Sequence, residues 1–179
     1  YDFSRQRVNE EIVIGLLDLA GETKAVQTFS RMTAGDKVNT TEKRAALHTA
    51  VRDFSSGPVV LSGIDVKPEI RRVNQAIQAF SEAVHNRGIT GGTGKAFTDA
   101  VVVGIGGSYL GCEFVFNALR CFMKPRINLH FLANVDIDNF GQVIQDVSAD
   151  TCLWIVISKS YTTTETMANL RQVLLYLKK

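Results

Sequence analysis

Apolar residues recur at intervals of three and four between residues 68 and 86, a spacing that places them along one face of a helix. The members of this stripe are Ile70, Val73, Ile77, Phe80 and Val84. Shorter helices are predicted near residues 8–20, 23–32 and 42–53, and the glycine-rich residues 88–94 are expected to form a loop. Residues 1–97 are therefore expected to be a mostly helical N-terminal segment that packs on a sheet.

The pattern changes after residue 97, where β-branched runs alternate with helical segments. Three runs have the character of buried strands, at residues 100–105, 127–132 and 152–157. A helix is expected after each run: near residues 108–122, around residues 140–147, and from Thr163 onwards, with Met167, Leu170, Leu174 and Leu177 on one face. This order predicts an α/β fold with a doubly wound parallel sheet flanked by helices.

Three strands are few for such a sheet and would leave an unpaired apolar edge. Further strands are therefore expected from sequence beyond Lys179 or from a partner. The chain also begins at Tyr1 rather than at Met, and it ends inside an amphipathic helix. These features lead to the expectation that the chain is a truncated part of a larger protein.

In open parallel sheets, ligands bind beyond the carboxyl ends of the strands, at the point where the strand order reverses. Three loops leave those ends, at residues 104–108, 134–136 and 158–163. The commonest strand order places the first strand between the second and the third. The first and the third of these loops are then expected to flank the switch point.

Hydroxyl groups dominate the third loop and the residues that follow it. Seven of the nine residues from 158 to 166 carry one: Ser158, Ser160, Tyr161, Thr162, Thr163, Thr164 and Thr166. Lys159 adds a positive charge, and the loop precedes a helix N-terminus, where amide groups and the helix dipole attract anions. The loop therefore indicates a site for a phosphate monoester. Thr162 and Glu165 also fit a T-x-x-E capping box, and the two roles are compatible.

The first loop carries the glycines Gly104, Gly106 and Gly107, followed by Ser108, and would let a ligand approach the backbone. A dinucleotide fingerprint fails there because Tyr109 occupies its last glycine position. Asp136 could imitate the ribose-binding acid of such a site, but it could equally be a helix cap. A nicotinamide-dependent dehydrogenase is accordingly the third hypothesis.

Other kinds of site have weaker support in the sequence. A P-loop fails because Ile89 and Ala96 stand where glycine and a hydroxyl residue are required. The histidines, His48, His85 and His130, lack a second ligand at helical spacing and are expected to be structural. Trp154 and the phenylalanines are expected in the core. Neither a metal nor an organic cofactor is predicted.

Composition excludes several classes of protein. The 179 residues include 45% hydrophobic and 21% charged residues, as is typical of globular proteins. The charge of 20 basic minus 18 acidic side chains is +2, without the basic stripe that nucleic-acid binding needs. Apolar runs are too short to span a membrane. The three cysteines, Cys112, Cys121 and Cys152, lack metal spacing and are expected to be reduced thiols of a cytoplasmic protein.

Three segments resemble motifs of the glucose-6-phosphate isomerase family, also called the phosphoglucose isomerase family. They are residues 103–111 (VGIGGSYLG), residues 157–167 (ISKSYTTTETM) and residues 37–48 (KVNTTEKRAALH). They occur in the family's order and extend over most of the chain. The resemblance implies a sugar isomerase (SIS) domain, of which residues 98–179 would form the first three β-α units. The chain departs from the family's pattern at Tyr109, Cys112 and Ser160.

The resemblance also implies an activity and a set of site residues. The activity is aldose–ketose interconversion of glucose 6-phosphate and fructose 6-phosphate through a cis-enediol, in glycolysis and gluconeogenesis. Gly107 and Ser108 match positions beside the sugar. The matches to the phosphate cradle are Ser158, Lys159, Ser160, Thr162 and Thr163. Glu165 matches a glutamate near the ring-opening residues and is the candidate catalytic residue of this chain.

The family's enediol base and its ring-opening residues lie downstream of the matched part. The resemblance therefore implies that this chain holds the phosphate and is inactive alone. It also implies a homodimer for the full-length enzyme and no metal or organic cofactor. The alternative is a non-catalytic, phosphosugar-binding regulatory SIS module.

Overall fold

The computed structural model of the chain describes residues 2–178. The chain divides between Ile77 and Gln78 into two compact units. The helices are α1 (Glu10–Glu22), α2 (Ala25–Thr33), α3 (Lys67–His85), α4 (Leu110–Leu119), α5 (Ile137–Asp146) and α6 (Thr164–Leu177). The strands are β1 (Val60–Leu61), β2 (Ile64–Asp65), β3 (Asp99–Val103), β4 (Asn128–Leu132) and β5 (Cys152–Val156). Across residues 2–178, no helix is both long enough and apolar enough to cross a membrane.

The first unit begins with two helices that the sequence predicted. The Asn9 side chain caps α1 by accepting the Ile12 amide hydrogen at 2.9 Å, and Glu10 and Glu11 suit the positive end of the helix dipole. Helices α1 and α2 confirm the predictions near residues 8–20 and 23–32. Neither helix contains a buried residue.

The predicted helix at residues 42–53 is wrong. The Asn39 side-chain oxygen accepts the Thr41 amide at 3.1 Å and the Glu42 amide at 3.3 Å, so this segment starts as a turn. Lys43 follows with a left-handed φ of 54°. Only a short 3-10 helix forms, at Ala50–Arg52. The apolar spacing is helical, but the asparagine offers the backbone a competing local set of hydrogen bonds.

A small antiparallel hairpin of β1 and β2 was not predicted, and it leads into α3. Close to it lies a buried lysine, Lys67. Its ammonium donates to the Ser55 carbonyl at 2.7 Å and pairs with the Asp53 carboxylate at 2.8 Å. The hydrogen bond from Lys67, followed by those from Ser55, lowers the pKa of Asp53 to about 2. The buried charge is thus compensated within the first unit.

The second unit contains a parallel sheet in the order β4-β3-β5. The sequence predicted this order, in which the first of the three predicted strands, β3 of the structure, lies in the centre. Val103, the last residue of β3, is in register with Leu132 and with Val156, the last residues of its neighbours. The three strands therefore end at one level, and the loops that follow them share one edge of the sheet.

Helices cover both faces of this sheet. Val101 and Val103 join a core with residues of α5 and α6, among them Phe140 and Val173. On the opposite face, the Phe131 ring of β4 lies 6.2 Å from the Phe116 ring of α4, measured between centroids. Because alternate residues of a strand point to opposite faces, this arrangement confirms the predicted doubly wound α/β fold.

The buried face of α6 differs from the predicted one. Its buried residues are Thr166, Asn169 and Val173, whereas the predicted Leu174 and Leu177 are 49% and 43% exposed. The buried face is shifted by one residue towards the N-terminus of the helix. It carries two polar side chains, so the spacing of apolar residues does not reveal it. The expectation of a phenylalanine core is also only partly met, because Phe54, Phe114 and Phe122 are exposed.

Candidate functional site

Three loops meet at the carboxyl edge of the sheet. We call them the glycine loop (residues 104–109, after β3), the asparagine loop (residues 133–136, after β4) and the serine loop (residues 157–163, after β5). The order β4-β3-β5 places the switch point between β3 and β5. The glycine loop and the serine loop therefore flank it, as the sequence predicted.

The glycine loop and the serine loop touch at Gly104. A Cβ atom added there would lie 3.2 Å from the Ile157 carbonyl oxygen and 3.2 Å from the Ser108 Cβ atom. The Ile157 amide also donates to the Val103 carbonyl at 2.9 Å, which extends the pairing of β3 and β5 into the loops. The absence of a side chain at Gly104 allows the two backbones to approach.

The rest of the glycine loop forms a short 3-10 helix, Gly106–Ser108. Gly106 adopts a left-handed φ of 55°, which favours glycine. A Cβ added at Gly107 would meet no atom within 4 Å, so open space lies beside this exposed backbone. The two predicted sugar-side residues, Gly107 and Ser108, are consecutive in this turn.

The serine loop is folded by its own hydroxyl groups. The Ser158 hydroxyl oxygen accepts the Tyr161 amide at 3.1 Å. The Ser160 hydroxyl oxygen accepts the Thr162 hydroxyl at 2.8 Å and the Thr162 amide at 3.3 Å. In these bonds both serine oxygens act as acceptors, and a hydroxyl can also donate its own hydrogen. Ser158 is buried, whereas Lys159, Ser160 and Thr162 are exposed.

Helix α6 begins one residue later than a capping box requires. Its N-cap is Thr163, whose side chain makes no cap hydrogen bond. Thr162 therefore precedes the cap, and Glu165 is the second helical residue rather than the third, so the predicted Thr162–Glu165 box is wrong. The Thr163 side chain leaves the amide groups of the first turn to other acceptors, in the place where helices bind anions.

Glu165 is exposed in that first turn, where the helix dipole favours a carboxylate. The structure thus places Glu165 and the five candidate phosphate residues in one segment of eight residues. Gly107 and Ser108 lie on the adjoining glycine loop. The residues that the family resemblance assigns to the site thus belong to two neighbouring loops and one helix start.

Asn169 was missed by the sequence analysis. It is buried in α6, and its amide nitrogen donates to the Asn134 carbonyl of the asparagine loop at 2.8 Å. A polar residue between Thr166 and Val173 on a helix face is the signal that could have identified it.

Asp136 in the asparagine loop accepts the Asp138 amide at 2.9 Å and is the N-cap of α5, the second of its two predicted roles.

The amino edge of the sheet carries a separate polar cluster around Asp99. Its carboxylate accepts from the Thr98 hydroxyl at 2.7 Å and the Asn128 amide at 3.1 Å, and it lies 3.0 Å from His130 Nε2. Burial raises the pKa of Asp99, but these hydrogen bonds outweigh it and hold the pKa below its usual value. Burial, followed by the charge of Asp99, raises the pKa of Cys152 to about 12.

The Asp99→Asn variant is expected to lose about 1–3 kcal/mol of stability at pH 7, because charge-assisted hydrogen bonds become neutral ones. A carboxyl with a lowered folded-state pKa stabilises the fold above its unfolded pKa, and the contribution disappears as the pH falls through the folded value. The deficit of the variant should therefore shrink from pH 7 to pH 3 in urea titrations. An equal deficit at both pH values would contradict this role for Asp99.

The fold and the loops define a class: an open parallel α/β domain with a hydroxyl-rich loop and a glycine loop at the carboxyl ends of its strands. The sequence model of the phosphoglucose isomerase family matches residues 2–179, and the chain belongs to the phosphoglucose isomerase family. A glucose-6-phosphate isomerase from Desulfosudis oleivorans is 56% identical over 178 residues, which are 99% of this chain and 33% of that protein.

A solved structure shows the same fold. The crystal structure of a glucose-6-phosphate isomerase from Chlamydia trachomatis matches with a TM-score of 0.77 at 24% identity, over 96% of this chain and 33% of that one. The chain thus spans about a third of the length of each of these proteins.

Proposed function

We propose that the serine loop and the start of α6 bind the phosphate of a sugar phosphate, and that the chain contributes this part of the site to an isomerase. The reaction is the interconversion of glucose 6-phosphate and fructose 6-phosphate through a cis-enediol. The observation that carries the proposal is Thr163, an N-cap without a side-chain cap bond, at the end of a hydroxyl-rich loop beside the switch point.

The phosphate is bound by side chains and backbone together. Ser158, Ser160 and Thr163 offer hydroxyl hydrogens, and Thr162 donates to Ser160 and so orients that hydroxyl within the site. The first turn of α6 offers amide hydrogens and the positive end of its dipole. Lys159 adds a positive charge at the same loop. Because local hydrogen bonds already hold the loop, little conformational entropy is lost when the anion binds.

The sugar lies towards the glycine loop. The open space beside Gly107 admits a hydroxylated carbon chain, and Ser108 supplies a hydroxyl group next to it. Glu165, in the first turn of α6, borders the site and is the candidate carboxylate for a role near the ring. The enediol base comes from sequence beyond this chain, so the chain binds sugar phosphate without turning it over. No metal or organic cofactor takes part.

The similarity to the Desulfosudis oleivorans protein supports this function, because its name states the same activity. The full-length protein is a homodimer in the cytoplasm in this proposal. Unbridged thiols at Cys112, Cys121 and Cys152 suit a reducing compartment.

The test is a chimera in which this chain replaces its matching third of the Desulfosudis oleivorans protein. The chimera should isomerise glucose 6-phosphate, whereas the 179-residue chain alone should not. An inactive but folded chimera that still binds glucose 6-phosphate would favour the regulatory module. Turnover by the 179-residue chain would contradict the division of roles.

Thr163→Ala and Ser158→Ala in the chimera should each raise KM for glucose 6-phosphate by about tenfold or more, because each removes a hydrogen bond to a charged group. Thr163→Ala is the cleaner variant, since this side chain makes no cap bond, whereas Ser158→Ala also removes the bond from the Tyr161 amide. Ser148→Ala, at the opposite edge of the sheet, is the control and should leave KM unchanged. An unchanged KM in Thr163→Ala would remove this residue from the phosphate site.

A further inference from the structure

A cavity of about 420 Å³ lies in the second unit near the amino ends of β3 and β4. Its walls come from the end of α3 and from the residues that precede the two strands. They are Val84, His85, Arg87, Ala96, Phe97, Thr98, Arg126 and Ile127. Five-residue strands are roughly 16 Å long, so this cavity is well separated from the serine loop.

The cavity is positively charged. Two arginines, Arg87 and Arg126, are among the residues that line it, and neither pairs with a carboxylate within residues 2–178. The acidic side chains before or at the start of the strands have other partners. Asp99 is bound by Thr98, Asn128 and His130, as described above, and Asp150 pairs with Lys95 at 2.7 Å.

Arg87 occupies a position that usually belongs to glycine. It follows the end of α3 with a left-handed φ of 62°, and its amide donates to the Val84 carbonyl at 3.2 Å. Glycine is the common residue at such helix ends, because a side chain is strained there. The long cationic side chain is therefore present at a cost in backbone energy, which a glycine at this position would not carry.

We propose that this cavity binds a small organic oxyanion between the guanidinium groups of Arg87 and Arg126. The planar, forked guanidinium matches the paired oxygens of a phosphate or a carboxylate group. Val84, Phe97 and Ile127 offer an apolar surface for the carbon part of the ligand. The site is distinct from the proposed sugar-phosphate site and does not depend on it.

The test is NMR on the ¹⁵N-labelled 179-residue chain, titrated with inorganic phosphate. Amide shifts are expected at residues 86–88, 96–98 and 126–127. Arg126→Gln should raise the apparent dissociation constant obtained from these shifts at least tenfold. Arg87→Gly should raise the same dissociation constant. Because glycine adopts the left-handed backbone of residue 87 without strain, this variant should fold at least as stably as the native chain, and a loss of binding could not be attributed to unfolding. Arg171→Gln, the same charge change on α6, should leave them unaltered.

The titration also separates the two proposed sites. Thr163→Ala should weaken only the shifts at residues 158–166, and the arginine variants should weaken only those around the cavity. Citrate in a parallel titration distinguishes a carboxylate ligand from a phosphate ligand, and saturable binding of either one supports the proposal. Cavity shifts that sodium chloride reproduces at equal ionic strength, or that persist in both arginine variants, would overturn it.

Discussion

Replacing Gly104 by valine is expected to destabilise the second unit by about 3 kcal/mol, because the site has no space for a side chain. A Cβ atom alone would lie 3.2 Å from the Ile157 carbonyl oxygen, and the two further methyl groups would press on the backbones of both loops. Urea unfolding followed by the fluorescence of Trp154, the single tryptophan, measures this effect in the second unit. The same change should weaken sugar-phosphate binding, since it separates the loops that form the proposed site.

Two neighbouring glycines supply the controls. Gly107→Ala should change stability by less than about 0.5 kcal/mol, because its Cβ enters open space, yet it should reduce affinity for a sugar. Gly106→Ala should cost about 1 kcal/mol, because its φ of 55° is left-handed. A Gly104→Val variant as stable as the native chain would contradict the close approach of the two loops at Gly104.

The sheet was predictable because its signal is local. Each predicted strand, at residues 100–105, 127–132 and 152–157, overlaps a strand of the structure to within two residues at either end. These runs combine β-branched residues with apolar ones, so that chain propensity and burial favour the same conformation. The strand order followed from the commonest topology and not from any residue.

The errors fall where a polar side chain or a distant contact decides the structure. At residues 42–53 the apolar spacing is helical, but Asn39 holds the start of the segment as a turn. In α1, the periodicity identifies the helix but not what it packs against, and Leu16 and Leu17 remain more than half exposed. A pattern of apolar residues reports which face a helix can bury, and it carries no information about the surface that covers it.

The sequence predicted which loops carry the candidate residues, but it did not predict the geometry of the serine loop. The hydroxyl-rich loop and the glycines are visible as motifs, and they do lie on adjoining loops. The start of α6 at Thr164 was displaced by one residue from the capping-box prediction, and this shift changes Thr163 from a helical residue into an N-cap without a cap bond. Such a shift depends on the hydrogen bonds within the loop, which the spacing of residues does not reveal.

Asn169→Asp is expected to lower the free energy of unfolding by about 3–5 kcal/mol at pH 7, because it places an uncompensated charge in a buried position. The amide of Asn169 donates to the Asn134 carbonyl at 2.8 Å, and an ionised carboxylate of the same size cannot donate. Asn169→Ala, which loses the donor without adding a charge, should cost only about 1–3 kcal/mol.

The pH dependence distinguishes a buried charge from a general packing defect. Burial raises the pKa of the introduced carboxyl in the folded state, and a group with a raised folded pKa favours folding below its unfolded pKa and loses that contribution as the pH rises. Relative to the native chain, Asn169→Asp should therefore recover stability near pH 4, when its carboxyl is protonated and can donate again. Gln172→Glu, the same amide-to-carboxyl change on the exposed side of α6, should be nearly neutral at both pH values. If Asn169→Asp were as well tolerated as Gln172→Glu at pH 7, Asn169 would not be the residue that joins α6 to the asparagine loop.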